Sequence, residues 1–395
     1  MKYWRGFLVA IILMAMAFGL IQFAANHSTL VDMIYPYMTR LIQTFLATWS
    51  ADVSFCLWQL LLMLFGLLAL AGLVLMLVLR LNLIQIIGWF TAVASLFFLL
   101  HTGLYGLNHH SGSLAADIHL EADYTITHLI GAAGYYRDKA NDLATQVPRN
   151  EDGSVKFSSF EELAEEAGEG FRVLTYDRAL SIFAGSTTPV KKLSNPEKFT
   201  AAGMTGITVS ITGEACVNPQ IPAVSLPFAM CKEMAHRMII VDEDDAQFAA
   251  FMACEANPSV QFQYSAYFMA YLACYNAVEA ATTSTALVAL PELESGMNEL
   301  LAADVAAYNA FWDEHMEENA METRYWLEDQ YYSAMMPETE AAPTEDEAED
   351  GKTEAPRYNY PELLTCLYVR DIVIPSKIEE ENPFDPYDES QVILR

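Results

Sequence analysis

Basic residues are scarce in this chain of 395 residues, where 21 lysines and arginines stand against 51 aspartates and glutamates. Residues 1–110 hold four basic and two acidic residues, which leaves 17 basic and 49 acidic residues for the remainder, a net charge of −32. Such a surface repels nucleic acid and anionic lipid headgroups. Nucleic acid is therefore excluded as a partner.

Charge is absent from three long apolar runs, residues 7–25, 55–79 and 83–104. Each run is long enough to cross a hydrocarbon core of roughly 30 Å at about 1.5 Å per residue. A lysine or arginine at the bilayer centre would cost about 2.5–3.5 kcal/mol, so uncharged runs favour burial in lipid. We predict an α-helical membrane anchor of three transmembrane helices in residues 1–108. Without intramembrane charge the anchor has no ion pathway, which argues against a transporter or channel.

Orientation follows from the few basic residues near these runs. Lys2 and Arg5 precede the first run, and Arg80 separates the second from the third. Because positive charge stays in the cytoplasm, everything after about His109 is expected outside. The first run is longer than a usual signal-peptide core and has no clean cleavage site before Asn26, which favours a retained helix over a cleaved signal peptide. The predicted location is the cell membrane, multi-pass, with the lipid bilayer as a partner and a large extracytoplasmic C-terminal domain.

Cysteine is also sparse, with six residues, of which Cys56 lies in the second apolar run. The other five have irregular spacing, so they form no disulfide framework, and at most two bridges are possible. They are Cys216, Cys231, Cys254, Cys274 and Cys366.

The extracytoplasmic part is predicted to be mainly α, of the α+β class. Residues 114–147 have helical spacing, and the serines and glutamates of 158–162 resemble a capping box that opens another helix. Residues 206–218 are β-branched and flanked by glycine, and form the best strand candidate. The predicted parts are a domain at 109–336, an acidic disordered loop at 337–357, and a C-terminal helix and tail of the same domain at 358–395.

An apolar helix at residues 226–241 carries Lys232, Glu233 and His236. Positions i and i+4 lie on one helix face about 6 Å apart along the axis, where two side chains bind one metal. In zinc peptidases both positions are histidine, and the glutamate after the first activates a metal-bound water as general base. Here the pattern is K-E-x-x-H, with Lys232 at the first ligand position.

The chain resembles a bacterial family of three-helix, membrane-anchored proteins with a zincin-like domain, that is, one of the zinc-metallopeptidase type. In the family the motif helix has H-E-x-A-H and is followed by E-D-E-A-N-F, where this sequence has Glu243-Asp244-Asp245-Ala246-Gln247-Phe248. The resemblance spans most of the chain and also rests on Tyr105-Gly106-Leu107-Asn108, the run from Pro189 through Gly203 and Gly206, Gly213-Glu214-Ala215, Asn218, Leu226-Pro227-Phe228, Tyr264-Ser265-Ala266-Tyr267 and Asn359-Tyr360.

The resemblance implies zinc as cofactor in the family, Glu233 as general base, His236 as a zinc ligand and Asp245 in the place of the acidic ligand. Lys232 departs from this pattern, because a protonated amine has no free lone pair for a metal. We therefore expect zinc to be absent or weakly bound here. The Lys232 ammonium is predicted to occupy the position of the metal and neutralise Asp245 or Glu233, with His236 as a hydrogen-bonding partner.

Two alternatives remain for these residues. They are a charged patch on a helix, or they form a metal site rebuilt with Cys231, although Cys231 is offset from His236 by about 140° around the helix. The function expected is a catalytically impaired metallopeptidase-like protein that binds peptide or protein. The alternative is an active zinc-dependent metallohydrolase or peptidase with altered ligands.

Further site residues are expected around the motif helix. Ile207, Val209 and Ile211 lie on a strand that precedes it, as the substrate-pairing edge strand does in zinc peptidases, and such an edge binds an extended peptide by strand addition. Tyr264 is a candidate donor to the transition state, with core packing as the commoner role for a tyrosine.

Overall fold

Within the part of the chain that the structure describes, three helices are long and apolar enough to cross a membrane, as the sequence predicts. The computed structural model describes residues 2–79, 82–120, 123–336 and 358–375, so the acidic segment 337–357 and the tail after 375 lie outside the described residues. The N-terminal helices are α1 (Arg5–Asn26), α2 (Ser28–Ala51), α3 (Leu57–Leu79) and α4 (Leu83–Leu104). Of these, α1, α3 and α4 are the candidate spans.

Helices α1 and α4 pack closely and in parallel. Near their N-termini, a Cβ placed on Gly6 would lie 2.3 Å from the carbonyl carbon of Gly88. Further along, the rings of Phe18 and Phe98 have centroids 6.1 Å apart. Small residues at spacings of three, four and seven line the contact, as in other close helix pairs in lipid. These buried residues are Gly6, Ala10, Ala17 and Ala24 of α1, and Gly88, Ala92, Ser95 and Thr102 of α4.

The direction of each span follows from this packing. Parallel helices cross the membrane in the same direction, so α3, between them in sequence, returns in the opposite one. Phe65 of α3 contacts Phe90 of α4 edge to face, with centroids 5.4 Å apart. The predicted arrangement, with the N-termini of α1 and α4 on one side, agrees with this geometry.

The chain after α4 forms a largely helical domain with one small sheet. Its helices are α5 (Leu114–Asp117), α6 (Ile126–Ala144), α7 (Phe160–Arg172), α8 (Pro196–Ala201), α9 (Leu226–Arg237), α10 (Glu243–Ala256), α11 (Val260–Ala280), α12 (Ser284–Ser295), α13 (Glu299–His315), α14 (Ala320–Met335) and α15 (Tyr360–Tyr368). The predicted capping box is confirmed at α7, where Ser159 Oγ accepts from Glu162 N–H and Glu162 Oε2 accepts from Ser159 N–H. Aromatic side chains of α6, α10 and α11 fill the core, among them Tyr136, Phe248 and Phe268.

The sheet has three strands, β1 (Lys191–Lys192), β2 (Gly206–Val209) and β3 (Glu214–Val217), in the order β1-β3-β2. β1 pairs with β3 in parallel, and β2 pairs with β3 in antiparallel register, with Ile207 opposite Cys216. The predicted single strand at 206–218 is therefore a hairpin. The reason is Gly213, whose φ of +66° suits glycine and ends the connection between the strands.

Candidate functional site

Helix α9 presents the predicted motif at its C-terminal half, against the sheet and α10. Lys232 and His236 are one turn apart, and Glu233 is buried between α9 and β2 with 2% of its surface exposed. After the helix ends, Ile239 takes a φ of +72°, which is costly for a β-branched residue. The resulting turn brings the Ile240 carbonyl oxygen to 2.9 Å from His236 Nδ1.

One carboxylate joins Lys232 and His236. Glu243 Oε1 accepts from Lys232 Nζ at 2.8 Å, and Glu243 Oε2 lies 3.0 Å from His236 Nε2. Glu233 Oε1 lies 3.5 Å from the same amine. The predicted contact of Lys232 with Glu233, beside His236, is therefore present.

His236 is positioned to carry a proton on both ring nitrogens. A carbonyl oxygen faces Nδ1 and a carboxylate faces Nε2, and both are acceptors. Burial opposes the charged form, but the hydrogen bond and the charge of Glu243 outweigh it and raise the pKa of His236 above its ordinary value. The Tyr105 hydroxyl oxygen, 3.1 Å from Nδ1, is a further neighbour.

Neighbouring charges also shift the pKa values of Lys232 and Glu243. Burial would lower the pKa of Lys232, yet the charges of Glu243 and Glu233 raise it. Burial would also raise the pKa of Glu243, yet Lys232 and His236 hold it well below its usual range. Lys232 and His236 thus face the carboxylate groups of Glu233 and Glu243. We call these four residues, Lys232, Glu233, His236 and Glu243, the ion cluster.

Asp245 is not the acidic member of the ion cluster, contrary to the prediction. Its carboxylate accepts from the Leu114 N–H at 2.9 Å and lines a small polar cavity with Arg40. Glu243 takes the position instead. Residues two apart on a helix point about 200° from each other, so Glu243 and Asp245 cannot both face α9.

Tyr264 also lies away from the ion cluster. Its hydroxyl donates to Asp304 Oδ2 at 2.5 Å, and Asp304 forms a buried ion pair with Arg149 at 2.8 Å. This is a packing role, the commoner one for a tyrosine. Tyr105, which follows α4, is the tyrosine that reaches His236. The Tyr105-Gly106 pair at the exit of α4 was visible in the sequence, but only the fold brings it to α9.

Strand β2 borders the ion cluster through alternate residues. Thr208 Oγ1 donates to Glu233, 2.9 Å from Oε2 and 2.8 Å from its carbonyl oxygen, and a Cβ on Gly206 would lie 2.5 Å from Glu233 Cγ. Because side chains alternate along a strand, Ile207 and Val209 point the other way, and Ile207 packs with Cys56 and Cys216. Two of the three predicted substrate-binding residues, Ile207 and Val209, thus lie on the strand but not on its inward face.

Ile211 lies beyond the end of β2, in the connection to β3. Along the described residues β2 pairs with β3 alone, so its second edge carries no strand pairing there. Addition of an extended chain at that edge would use the backbone groups of β2 rather than the side chains of Ile207, Val209 and Ile211.

The donor set of the ion cluster is poor for a metal ion. In the described ranges no group of three or more His, Cys, Asp and Glu side chains is placed to hold one. Cys231 does not rebuild such a site, because it is buried beside the Ala167 carbonyl, its Sγ 3.8 Å from that oxygen, on the side of α7.

Comparison with known proteins gives one relationship. A comparison with curated proteins and another with solved structures each find no match. A family model described as "Protein of unknown function (DUF3810)" matches residues 31–336, from within α2 to just past α14 and including the whole ion cluster. Because this match covers about three quarters of the chain, the protein belongs to the DUF3810 family.

Proposed function

We propose that the domain after α4 is a zincin-like domain outside the cell membrane that binds extended peptide or protein segments without cleaving them. The observation that carries this proposal is the contact between Lys232 Nζ and Glu243 Oε1 at 2.8 Å, beside His236. In a zinc peptidase the corresponding space would hold the metal between two histidines and an acidic residue. Here the ammonium supplies a positive charge at that point.

The residues present do not fit zinc. A catalytic zinc site needs three protein ligands, and the Lys232 ammonium has no lone pair to offer. His236 directs Nε2 at Glu243 as a donor, so that nitrogen is engaged as well. We therefore assign Glu233 the task of balancing Lys232, in place of the predicted role as general base.

The binding surface in this proposal is the open edge of β2. Main-chain groups on a strand edge pair with an extended peptide, and neighbouring pockets then select its side chains. Gly206 and Thr208 hold this strand against Glu233, so the edge is fixed to α9. The outward orientation of the domain is supported by Lys2, Arg5 and Arg80, the basic residues expected in the cytoplasm.

Zinc content of the purified full-length protein tests the loss of the metal. We expect far less than one zinc per chain, and no change in thermal stability on adding a chelator. Lys232→His should raise zinc affinity, because it restores two imidazoles one turn apart with Glu243 as third ligand. Zinc at about 100 times its dissociation constant should then stabilise this variant by about 2.7 kcal/mol.

Two further variants show whether Glu243 or Asp245 is the third zinc ligand. In the Lys232→His background, Glu243→Ala should abolish the gain in zinc affinity and Asp245→Ala should leave it. Stoichiometric zinc in the unmodified protein, lost in His236→Ala, would overturn the proposal in favour of an active zinc hydrolase with altered ligands.

Hydrogen exchange tests the binding edge. Full-length protein in detergent is mixed with a large excess of random-sequence nonapeptides, and amide exchange is followed by mass spectrometry. We expect slower exchange in residues 206–209. Strand β3 is the internal control, because both of its edges are already paired. Unchanged exchange in 206–209 at millimolar peptide would contradict strand addition.

A further inference from the structure

Helix α2 has a reversed amphipathic pattern. Large apolar side chains at every fourth position, Met33, Tyr37, Leu41, Phe45 and Trp49, point outward and are 60–72% exposed. The opposite face, which packs on the domain, is small or polar, and Thr39 and Gln43 on it are each 1% exposed. In a water-soluble helix the apolar stripe would face the core. Here the stripe faces away from the protein.

Specific hydrogen bonds hold the inner face of α2 in this orientation. Arg40 Nε donates to the Met238 carbonyl at the end of α9 at 3.0 Å, and Gln43 Nε2 donates to the Ser210 carbonyl after β2 at 2.8 Å. Each of these donors is buried. Rotating the helix to bury the apolar stripe would break both hydrogen bonds and leave the Arg40 charge without these acceptors. The outward direction of the stripe is therefore fixed.

The neighbouring spans restrict how α2 can lie. Only His27 separates α1 from α2, and α3 begins at Leu57, on the membrane side where α1 ends. With 24 residues, α2 is about 36 Å long, whereas the segment from Ala51 to Leu57 reaches about 20 Å at most. Both ends of α2 are thus tied to one membrane surface. The helix lies closer to the membrane plane than to its normal.

We propose that the outer stripe of α2 is inserted into the interfacial layer of the same bilayer that α1, α3 and α4 cross. An apolar helix face laid in the interface buries its side chains at the boundary of headgroups and acyl chains. Tyr37 and Trp49 are of the type enriched at that depth. The stripe carries no lysine or arginine, so insertion is apolar and zwitterionic lipid suffices. Lipid is the occupant because the stripe is continuous with the spans on either side.

Depth-dependent fluorescence quenching tests this interfacial position of α2. The full-length protein is reconstituted in phosphatidylcholine vesicles after labelling Leu41→Cys, Phe45→Cys or Val288→Cys with an environment-sensitive fluorophore. The native cysteines are buried, so the label goes to the introduced residue. Val288 is an exposed control on α12, remote in sequence from the anchor. Quenching by a nitroxide on the lipid chains is compared with quenching by iodide in water.

At positions 41 and 45 we expect lipid-borne nitroxide to quench several-fold more than at position 288, and iodide several-fold less. Iodide quenching at 41 and 45 equal to that at 288 would overturn the proposal. Protection from both quenchers would overturn it too, because a second copy of the chain would then cover the stripe. The two variants are independent, so a folding defect in one leaves the other as the test.

Discussion

Lys232 is central to the ion cluster, because its Nζ lies 2.8 Å from Glu243 Oε1 and 3.5 Å from Glu233 Oε1. Glu233 is buried, while Glu243 keeps 46% of its side chain exposed. Removing the ammonium would leave the carboxylate groups of Glu233 and Glu243 near one another with only His236 beside them. Lys232, Glu233 and His236 have little exposure and depend on these contacts, because an unpaired charge at a buried site costs far more than an exposed one.

Lys232→Met should therefore lower the free energy of unfolding by about 1–3 kcal/mol, the cost of leaving a buried acceptor without its partner. Urea unfolding of the full-length protein in detergent measures the loss. Lys192→Met is the matched control, because the ion pair of Lys192 with Glu161 is exposed on both sides and such pairs contribute about 1 kcal/mol or less. Equal losses in the two variants would show that Lys232 contributes no more to the free energy of unfolding than a lysine in an exposed ion pair.

His236 makes the stability of the domain depend on pH. Its pKa in the folded protein is raised above the ordinary 6.5, so protonation favours the folded state. The contribution is complete below about pH 6.5 and is lost as the pH rises through the folded pKa. The excess stability of the unmodified protein over His236→Gln should therefore be larger at pH 6 than at pH 9.

Unfolding free energies of both proteins across this range provide the measurement. His315→Gln, which removes an exposed imidazole on α13, controls for the loss of any histidine. A difference that stays constant or grows with pH would mean that His236 is neutral in the folded protein.

At the scale of elements, the sequence predicts α9 and the strand region, but it does not predict that Glu243 of α10 belongs to the ion cluster. The helical period placed Lys232, Glu233 and His236 on one turn because spacing along a single helix is a local property. Residues 242–245 are four consecutive acidic residues. Asp242, the first of them, caps α10 and accepts from the N–H groups of Asp244 and Asp245.

An aspartate followed by three acidic residues is a recognisable helix start, because carboxylates favour the N-terminal turn. That signal was available in the sequence and would have placed Glu243 in the first turn of α10. Which of Glu243 and Asp245 faces α9 depends on how the two helices pack, and a single sequence does not contain that packing.

Helix α2 escaped prediction for a different physical reason. Residues 28–51 contain Asp32 and Arg40 and are not apolar enough to span a membrane, so they do not form a long uncharged apolar run. Their apolar period is clear, but a period alone cannot say whether the stripe meets a core or lipid. Only the position of Thr39 and Gln43 against the domain settles which face is inside.

The α1–α4 contact gives a prediction with an internal control. Gly6→Leu should prevent close approach, because even its Cβ would overlap the Gly88 backbone, and overpacking costs about 1–3 kcal/mol or more. Gly19→Leu in the same helix meets nothing within 4 Å and should be tolerated. Thermal unfolding in detergent compares the two, and a larger loss for Gly19→Leu would show that α1 packs through another face.

At the scale of the whole molecule, parallel α1 and α4 place the large domain on the side opposite the N-terminus. A reporter enzyme that is active only outside the cytoplasm should be active when fused after Arg395 and inactive when fused at Arg80. The physical basis is the positive-inside rule, by which Lys2, Arg5 and Arg80 are expected in the cytoplasm. The reverse pattern would invert the orientation while leaving the packing of the spans intact.

The parallel pairing of α1 with α4 has a consequence for how the protein is made. The chain is synthesised from its N-terminus, and about 80 residues separate the end of α1 from the end of α4. At about 5–20 residues per second, roughly 4–16 s pass between the two. During that interval the stripe of Gly6, Ala10, Ala17 and Ala24 has no α4 to pack against, and other small-residue helices in the membrane compete for it. Because of the order of synthesis, α1 is thus exposed to mispairing with other helices until α4 has been made.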